Sequence, residues 1–248
     1  MLQSRLIPTL LMKNGSLVKT RRFDKSRTDL IGDPCNSLRI FNELAVDEIF
    51  ALDIGASSQG YEPDYELISE IACECFMPVA YGGGIRSVDQ AERIVSCGIE
   101  KVVINAAGLQ HPRLFTEIAE KLGSQAVVAS IDYTNKKGSL EVVSHLGERV
   151  PRDHRSLDTW IEYLEMHGVG ELLLTCVDRE GTWLGADEDM LTRVALNRRV
   201  PVIYQGGTRS VSEARYLMSR FKLGGVALGS AVVYSAPNGG VLVHMPEE

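Results

Sequence analysis

One segment of fourteen residues occurs twice in this sequence, and the repeat constrains the fold more than any other feature. Residues 78–91 read PVAYGGGIRSVDQA, and residues 201–214 read PVIYQGGTRSVSEA, a separation of 123 positions in a chain of 248. Such a period indicates two structurally related halves. A half with only a few strands would leave open sheet edges, so we expect the halves to close on each other rather than fold as separate domains.

Short apolar runs alternate with helical patterns along the whole chain. The eight runs are centred near Pro8, Phe50, Ala80, Val103, Ala129, Leu173, Ile203 and Val226, the last four lying 121 to 123 positions after the first four. Helical patterns include residues 38–44, 65–76, 88–97, 114–122, 160–167 and 211–218. Eight such units in about 250 residues are typical of a closed parallel barrel. We therefore predict a single α/β domain over 1–248, a (β/α)8 TIM barrel with half-barrels at about 1–123 and 124–248.

Composition and charge exclude several classes of function. The net charge of −7 gives no electrostatic support for binding nucleic acid. No apolar stretch reaches the roughly 18 residues of a membrane span, and the N-terminal residues lack the apolar run and cleavage site of a signal peptide. Five cysteines, an odd number without a CxxC pair, predict reduced thiols in a cytoplasmic protein.

The spacing of Cys73 and Cys75 resembles a metal clip. Both fall within the helical pattern at 65–76, where side chains two positions apart point away from each other. We therefore expect two packed thiols, and we predict neither a metal site nor a cofactor.

Glycines follow several predicted strands at the end of the barrel where active sites lie. The positions predicted to bind phosphate are Gly83, Gly84 and Asn105 in the first half, and Gly206, Gly207, Gly229 and Ser230 in the second. Glycine permits close backbone approach, and amides at the start of the following helix can hold an anion. Because both halves carry such a cradle, we predict a phosphorylated small molecule with phosphates on opposite sides of the mouth.

Seven segments carry a resemblance to a known family: RLIPTLLMKNGSLVK, ALDIGASSQG, YGGGIRS, KVVINAAG, GSQAVVASIDY, ELLLTCVDREGTWLG and ALGSAVV. On these segments, over nearly its whole length, the chain resembles the cyclase subunit of imidazole glycerol phosphate synthase. The resemblance implies a lyase of histidine biosynthesis that takes ammonia from a glutaminase docked at the barrel bottom. It also implies addition of that ammonia to a phosphoribulosyl substrate with two phosphates, with aspartates at the tops of strands one and five as general acid and base.

Only one of the two catalytic aspartates of that family is present. Asp132 stands at the strand-five position, but Leu11 occupies the strand-one position. The internal repeat supports this match, because residue 11 lies 121 positions before Asp132. Period-two alternation directs Leu11 into the lumen together with Thr9. A leucine cannot transfer a proton, and loss of one acid–base group costs about 10²–10⁴-fold in rate, so Leu11 is predicted to be non-functional.

Other positions at the mouth also depart from the family. Ala106 stands where a threonine lies near a phosphate, while Gln205 and Glu180 replace a serine and an aspartate. The polar neighbour Asn14 is not basic and cannot stand in for the missing carboxylate. We therefore expect the mouth to keep an anionic ligand while the original reaction is impaired.

Four charged residues at the opposite end all match the family, where they form a ring assigned as an ammonia gate. They are Arg5, Glu48, Lys101 and Glu171, and each lies where the apolar run of its strand begins. Two positive and two negative charges can neutralise one another, which an ordinary salt-bridged plug would also require. We favour the gate over the plug, because the floor has kept the family's residues while the mouth has changed.

Two segments lie outside the barrel pattern. Residues 136–144, KKGSLEVVS, predict a turn and a short extra strand in the loop after strand five. Residues 237–248, PNGGVLVHMPEE, predict a short strand-like run where an ordinary cyclase has a longer helical segment. This ending, the segment GDPCNSLRIFNEL and Leu11 resemble a paralogous branch found with genes for surface polysaccharide, including the O-antigen of lipopolysaccharide.

That resemblance leads to our first hypothesis, an ammonia-delivering barrel in a complex with a glutaminase and an ATP-dependent sugar amidotransferase. The complex would convert an N-acetyl group on a sugar into an acetamidino group. The alternatives are an active cyclase of histidine biosynthesis in which another group replaces Leu11, a phosphosugar isomerase of similar design, and a structural module that binds partners.

Overall fold

A computed structural model of the chain describes residues 4–24, 26–44, 46–146, 150–196 and 198–246. Its strands are β1 (Arg5–Lys13), β2 (Ser16–Lys19), β3 (Asp29–Gly32), β4 (Ile49–Asp53), β5 (Val79–Gly82), β6 (Lys101–Ile104), β7 (Val127–Lys136), β8 (Ser139–Val142), β9 (Glu171–Cys176), β10 (Val202–Gln205) and β11 (Gly225–Leu228). Eight of them are parallel neighbours in the order β1, β4, β5, β6, β7, β9, β10 and β11, and β11 pairs with β1. The predicted closed (β/α)8 barrel is confirmed, and each predicted strand centre lies in one of these eight strands.

Helices surround the strands. They are α1 (Pro34–Glu43), α2 (Ala56–Gln59), α3 (Tyr65–Glu74), α4 (Val88–Ser96), α5 (Ala106–Gln110), α6 (Arg113–Leu122), α7 (Leu157–Met166), α8 (Glu188–Val194), α9 (Val211–Phe221) and α10 (Ser230–Val233). The repeated sequence produces repeated caps. Ser87 accepts a hydrogen bond from the Gln90 amide at the start of α4, and Ser210 does the same for Glu213 at the start of α9.

The barrel interior is a separate apolar layer. One buried residue from each of the eight parallel strands contributes to it: Ile7, Phe50, Ala80, Val103, Val128, Leu173, Ile203 and Ala227. The larger core lies between the barrel and its helices and includes Phe41, Phe115 and Trp160. The lumen is therefore lined by hydrocarbon at mid-height.

Three further strands extend the sheet at the mouth. β2 runs antiparallel to the end of β1 and β3 runs antiparallel to β2, so the two form a hairpin that the sequence did not predict. β8 pairs antiparallel with the end of β7, which confirms the extra strand predicted within 136–144. Both additions extend from strand ends that border the mouth.

Three local predictions need correction. The helix predicted at 65–76 ends at Glu74, because Cys75 is already extended as the chain turns towards Pro78 and β5. Only Cys75 is partly packed, since Cys73 is exposed. Of the strand-like run predicted for the tail, the described residues form only one isolated antiparallel bridge, between Val241 and Tyr234. Instead Leu242 and His244 donate amide hydrogen bonds to Val233 and Val232, so the tail returns to α10 rather than to the sheet.

None of the helices in the described part of the chain is both long and apolar enough to cross a membrane.

Candidate functional site

An open cavity of about 150 Å³ occupies the mouth of the barrel. The C-terminal ends of the parallel strands and the loops after them line it, including Leu11, Asp53, Gly83, Asn105, Asp132 and His145. Loops at this end of a (β/α)8 barrel carry the ligand-binding groups, while the strands below fix their positions. The predicted residues Asp132, Gly83, Gly84 and Asn105 thus line the same cavity as Leu11, and β1 and β7 lie on opposite sides of the barrel.

Asp132 is a buried carboxylate with two partners. Its exposed fraction is 4%, and its Oδ2 accepts a hydrogen bond of 2.8 Å from Asn105 Nδ2. Nδ1 of His145 lies 3.4 Å from the same oxygen. Leu11 is 7% exposed and brings only hydrocarbon to this cavity. The mouth therefore holds the Asp132 carboxylate beside an imidazole, and the hydrocarbon of Leu11 where the family pattern predicts the second catalytic carboxylate.

The glycine turns after β5 and β10 adopt matching conformations. Gly83 and Gly206 have φ of +135° and +129°, a region that side-chain-bearing residues rarely adopt. A Cβ on Gly83 would lie 2.6 Å from the carbonyl oxygen of Asp53, and one on Gly206 would lie 2.8 Å from that of Cys176. Glycine is therefore required at both turns, which bring the backbone to the edge of a cavity in each half.

The second-half glycine cradle forms a smaller cavity of its own, about 20 Å³ in volume. It is lined by Gly206, Gly207, Gly229 and Ser230, together with Glu180, Gln205 and Thr208. The four predicted phosphate positions of this half are thus brought together. Oε1 of Gln205 and Oγ1 of Thr208 are buried there without a hydrogen-bond partner.

A buried ion pair that the sequence did not predict borders this cradle. Lys19, at the end of β2, contacts Glu180 Oε1, and both side chains are 3% exposed. A Cβ on Gly229 would lie 3.0 Å from Lys19 Nζ, so the ammonium group stands beside the cradle. Oε2 of Glu180 has no partner. Glu180 thus neutralises the cation that lies beside the predicted phosphate cradle.

We expect Lys19→Met to lower the free energy of unfolding by about 3 to 5 kcal/mol, because buried Glu180 loses its charged partner. Urea denaturation followed by circular dichroism measures the change. Arg39→Met is the matched control, since it breaks an exposed pair with Glu74 and should cost less than about 1 kcal/mol. Similar losses in both variants would contradict the view that the Lys19–Glu180 pair is shielded from water.

Asp53, at the end of β4, organises the loop above it. Its Oδ1 accepts hydrogen bonds from the amides of Gly55 and Ala56 at 2.8 and 3.1 Å, and from the Tyr61 hydroxyl at 3.0 Å. Burial raises the pKa of the Asp53 carboxyl, and these hydrogen bonds oppose the rise. The carboxylate thereby positions the loop that carries Ser57 to the cavity.

The four charged residues predicted at the floor form a closed ring. Arg5 Nη2 lies 2.8 Å from Glu171 Oε1, and Arg5 Nη1 contacts Glu48 Oε2. Lys101 Nζ lies 3.1 Å from Glu171 Oε2 and 2.9 Å from Glu48 Oε1, the latter without hydrogen-bond alignment. Each carboxylate therefore bridges both cations. We call these four residues the floor ring.

The floor ring is buried enough for its charges to depend on one another. Glu48 is 2% exposed, and burial raises the pKa of its carboxyl while Lys101 and Arg5 oppose the rise. Balanced pairing removes the net charge that would otherwise be costly at such a site. The ring thus closes the bottom of the barrel at the N-terminal ends of β1, β4, β6 and β9.

Two residues of the mouth escaped the sequence reasoning, Lys19 and His145. Lys19 ends a short strand that has no local signal of burial, and its partner Glu180 is 161 positions away. His145 follows β8 and lies one residue beyond the extra segment predicted at 136–144, where no sequence pattern singled out a side chain. Within the described ranges, no group of three or more His, Cys, Asp or Glu residues could hold a metal ion.

Comparison with known proteins assigns the family. The family model described as histidine biosynthesis protein matches residues 5–236. Over all of its 248 residues the chain is 45% identical to a Pseudomonas aeruginosa protein provisionally named imidazole glycerol phosphate synthase subunit hisF2, 97% of which is covered. The chain belongs to the HisF-like family of imidazole glycerol phosphate synthase cyclase subunits.

Two further relatives share a somewhat lower sequence identity with this HisF-like chain. A Leptospira borgpetersenii protein, also provisionally named as subunit HisF, is 40% identical over 250 residues, covering 99% of this chain and 96% of that protein. The imidazole glycerol phosphate synthase subunit HisF of Chlorobium phaeobacteroides is 37% identical over 224 residues, 90% of this chain and 86% of that one. The resemblance inferred from the sequence is thus confirmed at the level of the HisF-like family.

Proposed function

We propose that this HisF-like barrel delivers ammonia within a glutamine-dependent amidotransferase complex that makes acetamidino groups on a sugar for surface polysaccharide. We further propose that it does not catalyse the cyclase reaction of its family. One observation carries the proposal: Leu11 stands opposite Asp132 at the mouth, while the floor ring is complete.

The mouth supports the loss of cyclase activity. Asp132 keeps the position of one acid–base group, but Leu11 brings no titratable group to the cavity. Ala106 adds no hydroxyl, and Glu180 neutralises Lys19 beside the second glycine cradle. A bisphosphate would therefore meet a mouth that keeps the strand-five carboxylate but lacks the strand-one carboxylate, and in which the ammonium of Lys19 is already paired. The glycine turns are still suited to a phosphorylated small molecule.

The floor and the lumen support ammonia delivery. Neutral ammonia crosses a hydrocarbon layer far more cheaply than ammonium does, because an unpaired buried charge costs several kcal/mol. The apolar layer from Ile7 to Ala227 lies between the floor ring and the mouth. A path that excludes water prevents protonation of ammonia on the way. The four paired charges of the floor ring seal this path at its lower end.

The proposed partners follow from this route. A glutaminase at the bottom face would release ammonia below the floor ring, and an ATP-dependent sugar amidotransferase would activate the acceptor above the mouth. The barrel itself needs no cofactor for this role. The choice of an acetamidino sugar rests on the resemblance of Leu11, the segment from Gly32 to Leu44 and the tail to the paralogous branch.

A second candidate function is an active cyclase of histidine biosynthesis, and Asp132 with the two intact glycine turns favours it. The phosphosugar isomerase has no such support, because that chemistry also needs the strand-one carboxylate that Leu11 replaces. Genes for polysaccharide or for histidine synthesis beside this one would separate the first two functions.

We expect the protein to be isolated from its own host together with a glutaminase subunit. Affinity purification of the tagged full chain, followed by mass spectrometry, tests this expectation at micromolar concentration. Reversing the charges of the floor with Arg5→Glu should release the partner, whereas Arg39→Glu on the outer surface should not. Purification of the wild-type chain alone, as a strict monomer, would contradict the proposed function.

A further inference from the structure

His145 is the one described histidine that lines the mouth cavity. It follows β8 on the loop that extends from β7, and its side chain is 21% exposed. Its ring therefore reaches the solvent-accessible cavity from one side and buried Asp132 from the other. Neither the repeat nor the positions matched to the family assigned it a role.

The ring of His145 is oriented by Asp132. Nδ1 lies 3.4 Å from Asp132 Oδ2, and the only charged group within ion-pair distance of the imidazole among the described residues is this carboxylate. A carboxylate beside Nδ1 favours the tautomer with hydrogen on Nδ1, which leaves a lone pair on Nε2. Contacts between catalytic groups are often long in a site without ligand and shorten when a ligand binds.

Asn105 also holds Asp132 in position. Its Nδ2 donates at 2.8 Å to the same Oδ2 and lies 3.4 Å from Ser130 Oγ. The carboxylate is thus held between an amide donor and an imidazole, as a base-orienting group should be. Lys13, Asp53 and Glu180 are the other charged residues on the cavity wall.

We propose that His145 and Asp132 form a general-base dyad that accepts the proton released when ammonia adds to an electrophilic carbon in the mouth. His145 is the catalytic residue, and Asp132 is the positioning residue behind it. The proposal rests on the proposed function for its source of ammonia. It goes further by assigning the place of C–N bond formation to this barrel rather than to a partner.

The proton released in this step is taken up and returned within the site. The nitrogen lone pair forms the C–N bond, and the π electrons of the acceptor carbon move to its doubly bonded atom. One N–H proton passes to Nε2 of His145, and Asp132 stabilises the resulting imidazolium. When the adduct collapses, the displaced electrons re-form the double bond and the oxygen-linked activating group leaves. The imidazolium returns its proton to the oxygen of that leaving group. The dyad ends in its starting state.

Unpartnered acceptors around the cavity indicate the class of acceptor molecule. Oδ1 of Asn105, Oε2 of Glu180 and Oε1 of Gln205 are buried, line the mouth and have no hydrogen-bond partner. Buried acceptors require donors, and a hydroxyl-rich ligand supplies them. The site therefore fits a polyhydroxylated molecule of the sugar class, and the proposed step requires that it carry an sp² carbon with an oxygen leaving group.

The tautomer of His145 tests the dyad in the isolated chain without any substrate. The chain has five histidines, so ¹⁵N-histidine labelling gives a small set of imidazole signals, and His145→Gln assigns the relevant one. At about pH 8, where an ordinary imidazole is neutral, we expect hydrogen on Nδ1 in the wild type. Asp132→Asn should remove this preference. An Nε2–H tautomer in the wild type would overturn the proposal.

Turnover in the reconstituted complex tests the base itself. His145→Gln should lower product formation by about 10²-fold or more with glutamine and with ammonium salt alike. Imidazole added to His145→Ala should restore part of the rate. His111→Gln makes the same chemical change on the exposed outer surface and should leave the rate unchanged.

The outcomes separate this inference from the proposed function. Unchanged turnover in His145→Gln overturns the dyad while leaving ammonia delivery intact. If the wild-type complex forms no acetamidino product from either nitrogen source, the proposed function fails. His145 then has no ammonia from which to accept a proton. The dyad proposal therefore fails as well, even if the tautomer of His145 is the expected one.

Discussion

Replacing Lys101 with methionine should lower glutamine-dependent product by about tenfold or more, equivalent to about 1.4 kcal/mol, while product from ammonium salt stays nearly constant. Lys101 bridges Glu48 and Glu171, and its loss leaves Arg5 as the single cation for two carboxylates. The floor ring then carries a net negative charge that favours ammonium over neutral ammonia. Methionine keeps a similar length and apolar volume, so changes in packing stay small.

The assay for this prediction needs the glutaminase, the ATP-dependent partner and the acceptor sugar together. Lys121→Met is the matched control, because it breaks an exposed pair with Glu92 on the outer surface. Both variants must first be shown to be folded by thermal melting, since the buried carboxylates have lost half of their countercharge. Equal losses with both nitrogen sources in a folded variant would favour an ordinary plug. No change with either source would mean that ammonia reaches its acceptor by another route.

The chain alone should turn over the phosphoribulosyl bisphosphate of its family at a rate at least about 10²-fold below that of an ordinary cyclase, with ammonium salt as nitrogen donor. The reason is the hydrocarbon that Leu11 places opposite Asp132. Leu11→Asp should recover part of the rate, because it supplies a second proton-transfer group at the same strand position. Quantifying the product by liquid chromatography follows the reaction directly.

Leu11→Asn is the control for that variant, since it has the shape and polarity of aspartate without a proton to transfer. Recovery in both variants would mean that polarity rather than acid–base chemistry was missing. The triple variant with Leu11→Asp, Ala106→Thr and Gln205→Ser tests whether the other departures also limit the rate. Wild-type turnover comparable to an ordinary cyclase would contradict the proposal and favour the histidine function.

The barrel could be predicted from the sequence because its information is local and repeated. Each parallel strand is a short apolar run, and the separation of 123 positions gives the same turn twice, at Gly83 and Gly206. The four floor residues could be found for a related reason. Each stands at the first residue of a strand or immediately before it. Knowing where the strands begin is therefore enough to place Arg5 and Lys101 at the same end of the barrel.

The rest of the site depends on contacts between distant segments. The hairpin of β2 and β3 is stabilised by pairing with the end of β1, and its exposed residue Leu30 breaks any pattern of burial. Lys19 is buried only because Glu180 faces it. His145 reaches Asp132 only because β8 folds back along β7. None of these long-range contacts produces a repeating pattern in the sequence from which it could be predicted.

Arg5 belongs to the floor ring and also to the seam where the first strand meets the last. Its amide and its Nε both donate to the carbonyl oxygen of Gly224, at 3.1 and 3.3 Å, and Ser4 Oγ donates to Leu223 at 2.9 Å. Pairing of segments so distant in sequence is slow to form, because closing the long intervening loop costs conformational entropy. The position of Arg5 in the floor is therefore complete only when the last strand has paired with the first. We expect a chain that has not closed its barrel to lack a finished bottom face, so that a partner on that face would bind only after closure.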